Sequence, residues 1–278
     1  MSLAEFLSFA FVQRAVIAGA LIAVITAVLG VFLVLKRLSL IGDSLSHVAL
    51  SGVALGLLTK TSPVFVAVPV VCAASLLIFK ITKYARVYTD SALGIVSALG
   101  ISAGLIMAAL AGGFNVDLLS FLFGSILTVS AAELWLAFAL AVIILGAVYI
   151  FYNDLTAIVF DENFAKTAGI NTDRINTMLV LISAAAVVVA LRVVGIMLVS
   201  AMIIIPPVAA LQLAKNFKSA LILACAFSVG AVLAGIYISF ILNLPSGAVI
   251  ILLNILILAV AAAAKKYALK KRTAAKIN

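Results

Sequence analysis

The sequence has few of the residues that cover soluble surfaces or build catalytic sites. Of its 278 residues, 10% are charged, one is histidine, two are cysteine and one is tryptophan, whereas 67% are hydrophobic. At a mean hydropathy of +1.41, the chain lacks the polar side chains that a water-soluble domain needs on its surface. We therefore predict an all-α protein that crosses a membrane several times and contacts lipid.

Motifs of enzymatic chemistry are also missing. Cys72 and Cys225 each lie within an apolar run, so the sequence suggests neither a disulfide nor a CxxC site. The patterns HExxH, GxxxxGKS and GxxxxGKT are absent, and nothing indicates an enzyme or a chain that hydrolyses ATP itself.

Long apolar runs dominate what is present. A helix needs roughly 20 apolar residues to cross a bilayer, and on this measure we expect eight to nine transmembrane helices in a single permease domain, 1–278. The candidate spans are 15–35, 40–58, 64–81, 92–111, 134–152, 175–191, 193–213, 220–242 and 248–264. The apolar piece 118–129 is too short to cross comfortably and is predicted to be interfacial or re-entrant.

The charges are unevenly placed along the chain. Lysine and arginine total 18 against nine acidic residues, but the basic residues sit in short groups between apolar runs, as topology determinants do, and no nucleic-acid partner is expected. With nine spans and the C-terminus in the cytoplasm, 15 of the 18 basic residues lie on the cytoplasmic side. This bias predicts a cytoplasmic C-terminus.

One apolar span contains an aspartate and the only histidine of the protein. Asp43 and His47 are four residues apart, so a helix places both on one face, with Ser51 one turn further. Placing ionisable side chains inside a membrane costs free energy, and such residues usually have a function. We predict that they bind a divalent metal ion in transit; the alternative is that Asp43 caps the helix and His47 is packed in the core.

One aspartate and one histidine are too few ligands for a transition metal. A two-fold dimer would supply two carboxylates and two imidazoles, a set that suits zinc or manganese. Gly52 and Gly56 form GxxxG just beyond the pair, which permits close approach of another helix. The same spacing recurs at Gly100 and Gly104, so this signal is weak.

Two further stretches stand out. The hydrophilic segment 153–174 contains a short amphipathic pattern with Gly169 as a helix stop, which fits either a docking helix for a soluble partner or an ordinary connecting helix. In the span 193–213, Pro206 and Pro207 are adjacent and predict a kink or break, which can serve gating or merely packing.

Four stretches together resemble the permeases of binding-protein-dependent ABC importers for zinc, manganese and iron(II). They are LKRLSLIGDSLSHVALSGVALG (35–56), FDENFAKTAGI (160–170), VGIMLVSAMIIIPPVAALQLAK (194–215) and LPSGAVIILL (244–253). The resemblance implies a homodimer with the vitamin-B12-importer-type (type II) ABC permease fold, in a prokaryotic cytoplasmic membrane. It also implies cytoplasmic ATP-binding subunits and an extracytoplasmic metal-binding protein.

The resemblance further implies roles for single residues. Asp43 and His47 match the family's intramembrane aspartate and histidine, which line the translocation path and coordinate the cation. The segment 153–174 matches the part that contacts the ATPase, where Glu162, Ala165 and Gly169 are similar to an EAA-type coupling motif. Phe164 occupies the second alanine position of that motif.

These observations predict the permease subunit of an ATP-driven importer that moves zinc or manganese by alternating access, with the metal as substrate and no permanently bound cofactor. One alternative is a proton-coupled secondary transporter in which Asp43 and His47 relay protons. Another is a membrane scaffold or sensor that transports nothing.

Overall fold

The computed structural model describes residues 9–84, 87–113, 116–124 and 130–277, and the described part contains twelve helices. In chain order they are α1 (Ala10–Leu35), α2 (Ile41–Leu58), α3 (Pro63–Tyr84), α4 (Thr89–Leu110), α5 (Val116–Phe123), α6 (Ala131–Ile150), α7 (Tyr152–Phe160), α8 (Glu162–Thr167), α9 (Thr172–Val194), α10 (Val199–Leu213), α11 (Phe217–Leu242) and α12 (Ser246–Ile277). Arg86 and the stretch 125–129, which belong to the predicted basic groups and to the predicted re-entrant piece, lie outside the described residues.

Contacts between helix ends show how the chain runs through the bundle. One end of the bundle, which we call the basic end, is marked by Lys36, Lys83, Lys218 and Lys265. At this end α1 and α3 end beside the start of α9. In the same region α6 ends beside the start of α11, and α10 ends beside α12. The contacts are Lys36 with Asn176, Lys83 with Asp173, Lys218 with Tyr149 and Tyr152 around one cavity, and Lys265 with Gln212. Within the described residues the chain therefore passes through the bundle nine times, and the start of α1 and the end of α12 lie at opposite ends.

Eight of these passes are helices long and apolar enough to cross a membrane, which agrees with the expected eight to nine spans. The remaining pass is α10, whose 15 residues extend only about 22 Å at 1.5 Å per residue. The predicted span 193–213 is therefore too long. The chain breaks at Gly195 to Leu198 rather than at Arg192, which lies within α9.

Long-range packing explains the position of this break. Gly195 has φ +91°, and a Cβ there would lie 2.5 Å from the carbonyl carbon of Phe123. The N–H of Ile196 donates to Phe121 O at 2.9 Å, and the N–H of Met197 donates to Leu122 O at 3.2 Å. The short helix α5, part of the predicted re-entrant piece, thus satisfies backbone groups that the break exposes.

The helix that carries Asp43 and His47, α2, packs closely against α3 on one side and α4 on the other. A Cβ on Gly52 would lie 2.6 Å from the Cα of Ala67 on α3, and a Cβ on Gly100 of α4 would lie 2.7 Å from the Cα of Val48. Both GxxxG pairs therefore join helices of the same chain. The expectation that Gly52 and Gly56 promote approach of another helix is correct, and that helix is α3.

Candidate functional site

Asp43 and His47 lie on a face of α2 that the described part of the chain leaves partly exposed. Thirteen of the 18 residues of α2 are buried, whereas the side chains of Asp43 and His47 are 48% and 24% exposed. His47 Nδ1 lies 4.0 Å from Asp43 Oδ2, so the two groups are neighbours as the spacing predicts. Both are available to a ligand that approaches from outside this chain's core.

A serine on the neighbouring helix orients the imidazole. Ser97 of α4 lies with Oγ 2.6 Å from His47 Nδ1. Because Nδ1 is engaged, Nε2 is the nitrogen left to bind a cation, an arrangement typical of histidine ligands in metal sites. Sequence reasoning missed Ser97, and no sequence signal links it to a residue 50 positions earlier.

A second serine, 157 residues further along the sequence, contacts Asp43. Ser200, at the start of α10, donates to Asp43 Oδ1 at 3.4 Å. The N-cap residue of α2 is Leu40, and Asp43 lies in the first turn, where the positive end of the helix dipole favours a carboxylate. In the described structure the hydrogen-bond partner of Asp43 is thus Ser200, and the capping alternative has no hydrogen bond to support it.

The described part of the chain offers too few ligands to hold a transition metal by itself. Among the described residues there is no group of three or more histidine, cysteine or acidic side chains that could surround an ion. Tetrahedral or octahedral coordination needs four or more donors. The pair therefore needs further ligands from water or from another molecule.

The segment predicted to couple to an ATPase is a pair of short helices at the basic end. α7 ends at Phe160, and Asp161 caps α8 by accepting from the N–H groups of Asn163 and Phe164, both at 2.9 Å. α8 ends at Thr167, and Gly169 follows with φ +86°. The predicted helix stop at Gly169 is confirmed, because the left-handed conformation there closes the helix with a bond from Ile170 N–H to Ala165 O.

The four residues predicted for coupling point in different directions. Ala165 is buried, whereas the ring of Phe164 is 65% exposed and that of Phe160 is 69% exposed. Glu162 faces inward to Lys36, with Glu162 Oε2 and Lys36 Nζ 3.5 Å apart, and also contacts Lys166 Nζ at 3.4 Å. Two large aromatic side chains outside the long spans thus remain uncovered on this surface.

Pro206 and Pro207 lie inside α10, which continues through both as one helix. The prolines therefore do not break the helix. Pro207 has no N–H to donate to Ile203 O, and this freed carbonyl lies against Gly30 of α1, where a Cβ would be only 2.1 Å away. A role in gating stays a prediction.

Comparison with known proteins identifies the family. The model of the ABC 3 transport family matches residues 8–265. The manganese transport system membrane protein MntC of Halalkalibacterium halodurans is 35% identical over 248 residues, which cover 89% of this chain and 85% of the relative. MntC of Listeria monocytogenes is 32% identical over 255 residues, with 92% and 91% covered.

Two solved structures show the same fold. PsaBC from Streptococcus pneumoniae, solved in complex with Fab, superimposes with a TM-score of 0.84 at 29% identity and covers 94% of this chain and 95% of that chain. An inward-facing putative metal-chelate type ABC transporter superimposes with a TM-score of 0.74 at 16% identity, covering 92% and 87%. The resemblance to metal ABC importers is confirmed: the chain belongs to the ABC 3 transport family, as a multi-pass permease with the type II fold.

Proposed function

We propose that this chain is the permease subunit of an ATP-driven importer that carries manganese across a prokaryotic cytoplasmic membrane by alternating access. The observation that carries the proposal is the Asp43 and His47 pair, partly exposed on its own chain, with Nδ1 of the imidazole held by Ser97. A carboxylate and an imidazole suit manganese and zinc alike. Manganese is favoured because the relatives MntC and ScaB are named as manganese transport proteins.

The working unit in this proposal is a homodimer. Two copies related by a two-fold axis would bring two Asp43 and two His47 side chains to one ion. Four ligands then surround the ion, whereas the described part of one chain offers no group of three. The exposed fractions of both side chains support this arrangement. Each copy would act as a single transmembrane permease domain over residues 1–278.

The remaining parts of the importer are separate proteins. Cytoplasmic ATP-binding subunits would dock on α7 and α8, within the segment 153–174, where Phe160 and Phe164 offer exposed aromatic anchors. The basic end would then face the cytoplasm together with the C-terminus. An extracytoplasmic metal-binding protein would deliver the ion at the opposite end, and rocking of the two permeases would open the path to each side in turn.

Transport by the reconstituted complex tests the site. In proteoliposomes that contain the cognate ATPase and binding protein, Asp43→Ala and His47→Ala should each lower radioactive Mn²⁺ uptake at least about tenfold. The loss of a group that only supports a metal ligand already costs about 10- to 100-fold in affinity or activity. The matched control is Ser46→Ala on the buried face of α2, where the Ser46 hydroxyl donates to Gly42 O in the same helix. It should transport at the wild-type rate.

The same assay separates this function from proton-coupled transport. Uptake should require ATP and the ATPase subunit, and it should survive collapse of the proton gradient. Wild-type uptake by both site variants would refute the metal role of the pair. Uptake that persists without ATP and stops with the gradient would refute the ABC mechanism.

A further inference from the structure

A buried lysine lies at the turn that leads into the metal-site helix. Lys36 follows α1 directly, and its side chain is only 9% exposed. Its Nζ pairs with Glu162 Oε2 at 3.5 Å and donates a hydrogen bond to Asn176 Oδ1. Asn176 Nδ2 in turn donates to Glu162 Oε1 at 3.4 Å. We call these three residues the Lys36 cluster, and they come from three separate parts of the chain.

The cluster is connected to Asp43 by a short, tight turn. Arg37 has φ +59°, a left-handed conformation that a side chain other than glycine adopts only when the structure enforces it. The turn is closed by hydrogen bonds from Leu38 N–H to Leu33 O at 2.8 Å and from Ile41 N–H to Leu38 O at 3.0 Å. A displacement of Lys36 is therefore passed to the first turn of α2, where Asp43 lies.

On its other side, the cluster is connected to the ATPase-docking segment. Glu162 is the first residue of α8, and its carboxylate is shared between buried Lys36 and Lys166, whose side chain is 54% exposed. Burial lowers the pKa of Lys36, while the charge of Glu162 acts to raise it. An ammonium in this position depends on Glu162 for compensation of its charge.

Space beside the cluster allows it to move. A cavity of about 290 Å³ is lined by Lys36, Glu162 and Asn176 on one side and by apolar side chains of α3, including Ile78 and Phe79, on the other. If α8 shifted alone, the Lys36 ammonium would be left in this largely apolar cavity without a carboxylate. The free-energy cost of this unpaired ammonium favours motion of the turn between α1 and α2 together with α8.

We propose that Lys36, Glu162 and Asn176 form the mechanical link through which movement of α7 and α8 displaces the helix bearing Asp43 and His47. The link rests on the proposed function, because the ATPase is what would move α8. Lys36 and Asn176 are positioning residues in this scheme and do not touch the ion. Exposed Lys166 is not part of the link.

The number of Mn²⁺ ions transported per ATP hydrolysed tests the link in the full reconstituted complex. Lys36→Met should lower this ratio about fivefold or more, the scale of a typical coupling energy, while ATP hydrolysis stays near the wild-type rate. Glu162→Gln and Asn176→Ala should act in the same direction. Lys83→Met, which removes an exposed ion pair with Asp173 at the same end of the bundle, is the matched control and should keep the wild-type ratio.

A role in folding alone would give a different result. Lys36→Met would then lower the yield of assembled complex and reduce uptake and hydrolysis together, leaving their ratio unchanged, which would overturn the link. Lys36→Arg, which keeps the charge, should restore most of the ratio, as should the exchange of charges in a Lys36→Glu, Glu162→Lys double variant. If the wild-type complex showed no ATP-driven uptake, the proposed function itself would fail, and the link with it.

Discussion

At the scale of single residues, the proposed metal site depends on how the imidazole is held. Ser97 engages His47 Nδ1 and so leaves Nε2 as the nitrogen for a cation, while Ser200 contacts the carboxylate of Asp43. Without these partners the side chains of Asp43 and His47 would rotate more freely, and each would lose more side-chain entropy on binding an ion. Partners such as these two serines reduce that loss in metal sites generally.

Replacing Ser97 should therefore weaken metal binding without removing a ligand. We expect Ser97→Ala to raise the Kd for Mn²⁺ by about 10-fold or more, because supporting groups of metal ligands typically contribute 10- to 100-fold. Calorimetric titration of the purified dimer with Mn²⁺ measures this change.

A matched variant controls for helix packing. Ser44 of α2 donates to Leu93 O of α4 at 2.8 Å, so Ser44→Ala also removes a hydroxyl contact between these two helices but leaves His47 oriented. It should bind Mn²⁺ like the wild type. Equal losses in the two variants would show that Ser97 acts through packing and not through the imidazole.

At the scale of helices, the close fit of α2 against α3 and α4 keeps the site rigid. The hydroxyl of Ser44 reaches the backbone of α4, and glycines let the helix axes approach closely on both sides. In a membrane, such contacts supply packing energy that the hydrophobic effect does not. The metal-site face of α2 is thereby held at a defined angle to its own chain.

A pair of glycine variants on α4 measures this packing. Gly100→Ala would place a Cβ 2.7 Å from both the N and the Cα of Val48, and we expect a loss of about 1–3 kcal/mol in the free energy of unfolding. Gly94→Ala lies on the same helix with nothing within 4 Å of its added Cβ. It should be neutral or stabilising by up to about 1 kcal/mol.

Unfolding of the purified protein in mixed detergent micelles, followed by circular dichroism, compares the two variants. Because both changes add one methyl group to one helix, differences in helix propensity cancel. Equal stability of Gly100→Ala and Gly94→Ala would contradict the close packing of α4 on α2.

At the scale of the whole molecule, the proposed site is complete only in a dimer. In this proposal the exposed face of α2 would carry half of the ligands. Lys36 and its partners lie at the basic end, where the ATPase would dock. One ion shared by two chains would couple the two permeases, because neither could release it without the other moving. This geometry suits alternating access around a two-fold axis.

The metal stoichiometry tests this arrangement. We expect one tightly bound Mn²⁺ per two chains of the purified permease, as counted by equilibrium dialysis and elemental analysis. A covalent tandem of one wild-type copy and one His47→Ala copy should bind at least about tenfold more weakly, since it retains one imidazole. One ion per chain, or full affinity in the tandem, would exclude a shared site.

Much of this architecture was predictable from the sequence. Apolar runs identify most of the spans because a backbone in lipid must form helices of a length that the bilayer sets. Gly169 ends α8 as predicted, since the left-handed turn there is a local property. Asp43 and His47 were recognisable as a pair because a spacing of four residues places them together in any helix.

Tertiary contacts alone decided the rest. The break after α9 occurs at Gly195 because α5 packs there, and α10 continues past Pro207 with the freed carbonyl of Ile203 against Gly30. Ser97 meets His47 across 50 residues, and Lys36 meets Asn176 across 140. Spacing along the chain determines which side chains share a helix face, but contacts between distant helices depend on how the helices pack, and these contacts orient the site.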